Sequence, residues 1–93
     1  MNKSDFTSEQ LQVINSAMTT SLFNIRGGVI PSIELSNKDY VQEVYNNLLK
    51  SEGYTQDILN NTNKNTQKHK HYTEVMQRIQ AHKVNIQELI KEL

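Results

Sequence analysis

The last 27 residues, Gln67 to Leu93, contain neither glycine nor proline. Within them Val75, Ile79, His82, Ile86, Leu89 and Leu93 recur at spacings of 4, 3, 4, 3 and 4. Only an α-helix gathers residues of that period on one face, because a strand alternates every second residue and would scatter them over both. A flanking row, Tyr72, Met76, Ile79, Lys83, Ile86, Ile90 and Leu93, widens the apolar stripe. The helix predicted over 67–93 would be about 40 Å long at 1.5 Å per residue. The other predicted helices are shorter, so part of this stripe is expected to overhang the chain's own core and to meet a second copy or another protein.

The rest of the chain has to cover that helix. Thr7 and Gln10 have the spacing of a capping box, and Phe6 can staple onto Leu11. Leu11, Ile14, Met18, Leu22 and Ile25 continue the stripe until Gly27-Gly28, so the first helix is predicted over about 8–26. Ser36, Asp39, Leu35 and Tyr40 repeat the entry grammar for a second helix over about 37–52, with Val41, Val44, Tyr45 and Leu48 as its stripe. Gly53 reads as its stop, with Tyr54 against Leu49. Thr55 can cap a short third helix over about 55–62, before the Asn- and Thr-rich run 60–66, which favours a turn. The expectation is a single domain, 1–93, of the all-α class: a small three- to four-helix bundle with a long C-terminal helix.

Composition is compatible with a packed but thin core. Leu, Ile, Val and Phe make up 24 of the 93 residues, and ten acidic groups balance ten basic ones. A chain this short leaves much of its surface exposed, so association would add useful burial. There is no cysteine, which removes disulfides, thiolate catalysis and cysteine-based zinc sites. The polar N-terminus lacks the apolar stretch of a signal peptide, and no run reaches the length of a membrane span. These features point to a soluble protein of the cytoplasm.

Few residues suggest chemistry. His69 and His71 are two apart and diverge on a helix, and His82 lies about 16 Å further along it, so one chain offers no three-histidine metal site. Gly27-Gly28 follows a predicted helix and lacks the lysine and hydroxyl of a phosphate-binding loop. No spacing orients a nucleophile and a base. Neither an enzyme nor a cofactor is expected. His82 has two readings, a core-edge histidine with its N–H satisfied or a pH-sensitive contact, and the first is favoured.

Charge is uneven. Residues 1–63 carry a net −3, residues 64–83 a net +4, and residues 84–93 a net −1. The basic stretch supplies Lys64, Lys68, Lys70, Arg78 and Lys83, which could neutralise phosphates, but these do not share one helix face and Tyr72 is their only aromatic neighbour. A helix-turn-helix built around Gly53 is also disfavoured. Its second helix would carry Asp57 and no arginine.

An opening such as Phe6-Thr7-Ser8-Glu9-Gln10-Leu11, with a load of Asn, Lys and Ile, resembles the short helical accessory proteins of phages and mobile elements from AT-rich bacteria. That resemblance implies binding to, and inhibition or regulation of, a host protein. The expected function is therefore non-catalytic protein binding, with Val29, Ile30, Ile33, Ile86, Ile90 and Leu93 as contact residues. Two alternatives stand beside it: nucleic-acid or nucleotide binding through the basic stretch, and a structural homo-oligomer, such as a homodimer, closed by the C-terminal helix.

Overall fold

The structure is a computed structural model and describes residues 6–18 and 34–93. Every regular element among them is helical. α1 spans Ser8–Met18, α2 spans Asn37–Asn60 and α3 spans Gln67–Glu92, and each helix packs against the other two. No helix among the described residues is long and apolar enough to cross a membrane.

The start signals at Thr7 and Ser36 work as their chemistry dictates. Thr55 lies inside α2 and caps nothing, and Thr66, not among the caps expected from sequence, caps α3. Thr7 N–H donates to Gln10 Oε1 at 3.0 Å and Gln10 N–H donates to Thr7 Oγ1 at 3.1 Å, so the capping box of α1 is closed in both directions. Ser36 Oγ accepts the Asp39 N–H at 3.2 Å at the head of α2. Thr66 Oγ1 accepts the His69 N–H at 3.2 Å at the head of α3.

The second helix departs from expectation. The separate helices predicted over 37–52 and 55–62 are one continuous helix, α2, and Gly53 lies inside it. Gly53 is exposed, and a Cβ built there would meet nothing within 4 Å. A glycine costs a helix only about 1 kcal/mol relative to alanine. That cost is outweighed because Leu48, Ser51 and Thr55, on both sides of it, are buried along the packed face. The helix-turn-helix reading falls with the break it required.

The run 60–66 does form the turn. Asn61 Nδ2 donates to the Asp57 carbonyl at 2.8 Å, the Thr62 hydroxyl donates to the Ile58 carbonyl, and Asn63 Oδ1 accepts the Asn65 N–H at 2.9 Å. Asn and Thr side chains thus replace the hydrogen bonds that the two helix ends would lack.

α2 and α3 therefore form a long antiparallel hairpin. Their facing residues are spaced alike: Val41, Val44, Leu48, Ser51 and Thr55 on α2, and Val75, Ile79, Ile86 and Leu89 on α3, all buried. Against expectation, the stripe of α3 does not overhang, because α2 is almost as long and covers it. α1 lies across one face of the hairpin near its open end. There Phe6, Ile14 and Ala17 join Tyr40, Val44, Leu48, Ile86 and Leu89 in one core. The predicted continuation of α1 to residue 26 lies outside the described residues.

Candidate interaction surface

Among the described residues, α1 packs on one side of the hairpin and no helix packs on its other face. The antiparallel register there is set by Lys83 Nζ, which donates to Glu52 Oε1 at 3.1 Å and to Oε2 at 3.0 Å. Gln80 Nε2 donates to the same carboxylate. One to two turns away, Gln87 Nε2 donates to Tyr45 Oη at 2.9 Å. Glu52 is held below the ordinary carboxylate range, first by its bond from Gln80 and then by the bond from Lys83. The carboxylate is thus charged and fixed across the gap between the helices.

Around this bridge the apolar residues follow a seven-residue rule. Tyr45, Glu52 and Leu59 are seven apart on α2, and Met76, Lys83 and Ile90 are seven apart on α3. The Glu52–Lys83 pairing sets Tyr45 level with Ile90 and Leu59 level with Met76. Tyr45 and Ile90 line the same shallow concavity with Gln42, Gln87 and Lys91. Tyr45, Leu59, Met76 and Ile90 are all half-buried, and Leu49, on the same side of α2 as Tyr45, is 41% exposed. The surface thus has three layers about 10.5 Å apart, apolar, charged and apolar.

The residues singled out from sequence are distributed differently. Ile86 is completely buried in the core and has no surface to offer a partner. Its apolar stripe is filled by the chain's own α2. Ile90 is half-buried at the edge of that core, and Leu93, at the end of α3, is 39% exposed. Val29, Ile30 and Ile33 lie outside the described residues. Of the basic set, Lys64, Lys68, Lys70 and Arg78 are exposed and make no ion pair among the described residues. Lys83 is different, since its charge is neutralised by Glu52. Lys64 and Lys70 border a shallow concavity with Thr66, His69 and Glu74, whereas Arg78 lies about two turns further along α3.

No group of three or more metal-binding side chains occurs among the described residues. His71 stacks edge-on against Tyr72, with ring centroids 5.0 Å apart. The Thr73 hydroxyl donates to the His69 carbonyl at 2.8 Å. His82 is half-buried, and burial lowers its pKa, with a smaller contribution from the Arg78 charge.

Tyr45 and Met76 belong to the apolar rows read from sequence, whereas Glu52 and Leu59 escape a search for a single apolar stripe. They flank the buried face, and the charged layer interrupts the apolar pattern. The legible signal is the parallel seven-residue repeat on both helices, which means something only once α2 is known to be unbroken at Gly53.

No family model matches the chain, and no curated protein or solved structure matches it.

Proposed function

We propose that this chain is a non-catalytic protein-binding module, a small helical bundle acting in the cytoplasm, of the kind that phages use to inhibit or regulate a host protein. The observation that carries the reading is the face of the α2–α3 hairpin that no helix covers among the described residues. It leaves Tyr45, Leu49, Leu59, Met76 and Ile90 partly exposed within a rim of glutamine and charged groups. Apolar anchors inside a polar rim are the usual anatomy of a protein interface. Leu93, the C-cap of α3, adds a further exposed apolar side chain. The concavity beside Tyr45 is shallow, about 380 Å³, which suits a protein surface better than an enclosed small molecule.

The test is capture by the tagged protein from a nuclease-treated lysate of an AT-rich bacterium, comparing the wild type with Leu49→Asp. One dominant partner, bound by the wild type and lost in the variant, is the expected result. Identical recovery with both proteins would remove the open face from consideration.

A second reading rests on Lys64, Lys68, Lys70 and Arg78, which are exposed and unpaired among the described residues. It requires that recovery depend on nucleic acid and that affinity fall steeply with salt.

A further inference from the structure

We propose that the open face of the hairpin pairs with the same face of a second copy, about a two-fold axis running parallel to the helices through the Glu52–Lys83 layer. This rests on the protein-binding reading and names the first partner as the chain itself.

Three observations lead there. The first is the layer order. Both helices carry the same sequence of apolar, charged and apolar residues at seven-residue intervals: Tyr45, Glu52 and Leu59 against Ile90, Lys83 and Met76. A seven-residue repeat is the period at which helices remain in contact over several turns, as four-helix bundles require.

The second is charge complementarity. Glu52 and Lys83 sit on opposite helices of the hairpin at one level, 3.0 Å apart, with side chains 30% and 18% exposed. A two-fold axis parallel to the helices lays α2 over the copy's α3. Glu52 then faces the copy's Lys83, and four charges alternate in sign around the central layer. An axis across the helices would lay α2 over the copy's α2 and set Glu52 against Glu52. Like charges in a partly desolvated contact are strongly unfavourable, so only the first arrangement fits. It also brings the basic turns of the two copies to the same end. There Lys64, Lys68 and Lys70 are exposed, so salt screens their repulsion beyond about 8 Å. The central contact therefore decides the orientation. In the same arrangement every neighbouring pair of helices in the four-helix assembly is antiparallel.

The third is area. A hairpin roughly 39 Å long and about 20 Å across presents on the order of 800 Å² per copy, the size of a standard specific interface. The charged layer costs some stability there. In exchange it sets the register, as a polar layer does in a coiled coil.

The test uses the purified full chain. Light scattering over a concentration series should show the mass doubling from the 10.8 kDa of one chain. Glu52→Lys alone places four lysines in the central layer, and Lys83→Glu alone places four glutamates there. Each variant, checked for helicity by circular dichroism, should dimerise at least about tenfold more weakly than the wild type. Mixing the two variants sets lysines against glutamates and should restore a dimer of one copy of each. Because the chain lacks cysteine, a spin label on Lys64→Cys reads the orientation, and the arrangement requires the two labels to lie at one end of the dimer. A wild type that stays monomeric at millimolar concentration overturns the proposal. So does a dimer indifferent to both charge variants, or a label separation spanning the length of the hairpin. A monomeric wild type that still captures a partner through Leu49 would leave the protein-binding reading standing without this one.

Discussion

Phe6 lies against Tyr40, with ring centroids 6.1 Å apart and planes tilted by 58°. The residue before the cap of α1 is thereby fastened to the first turn of α2, and both rings are buried. Burial also raises the Tyr40 pKa. Tilted aromatic pairs add a modest attraction to the apolar area that they bury. Phe6→Ala removes that contact and a buried side chain of the core, and should cost about 3 kcal/mol in urea denaturation. A loss of a few tenths would mean that α1 docks independently of Phe6.

Gly53 offers the opposite effect. It is exposed, helical and faces open space. Gly53→Ala should stabilise the protein by about 0.5–1 kcal/mol, read as a higher urea midpoint at unchanged slope. Destabilisation would mean that the glycine is needed for something other than the helix.

Ser51 and Thr55 are the smallest residues on the packed face of α2, and both are buried. The Thr55 hydroxyl donates to the Ser51 carbonyl at 2.7 Å, so the buried polar atom is satisfied within its own helix. Small side chains here let α3 approach closely. Ser51→Leu should overpack the hairpin and destabilise it by about 1–3 kcal/mol. An unchanged thermal midpoint would reveal unfilled space between the helices.

The hairpin was readable from sequence in its ends more than in its middle. The cap residues Thr7 and Ser36 act through local hydrogen bonds, which depend on neighbours three positions away and can be seen without the fold. The turn at 60–66 was legible for the same reason. Gly53 was misleading because a glycine stop and a tolerated mid-helix glycine look alike locally. What separates them is the burial of Ser51 and Thr55 against a helix distant in the chain. Ile86 illustrates the matching limit for the surface. Its place in the stripe of α3 was clear, but whether the chain itself would cover it depended on the length of α2.

His82 contributes a pH dependence just below neutrality. Its pKa is lowered from the ordinary 6.5, mainly by burial and then by Arg78. Between the lowered value and 6.5 the unfolded chain binds more protons than the folded one, so stability there rises with pH. Stability should be full above pH 6.5, decline as the pH falls below it, and stop responding to this group below the folded pKa. Thermal midpoints from pH 8 to pH 5 should follow that course, and His82→Gln should flatten it. A wild-type midpoint that rises on acidification would reverse the assigned sign.

The turn at 61–66 also governs the order in which the chain assembles. Six residues separate α2 from α3, so bringing the two helices together closes only a small loop, and the loss of chain entropy on doing so is slight. Contacts between neighbours in sequence form early in small helical proteins. The hairpin is thus the natural folding nucleus, and α1, which must return from a more distant part of the chain, docks afterwards. Substitutions at Leu48 or Ile79 should then slow refolding, whereas substitutions at Ile14 should mainly hasten unfolding.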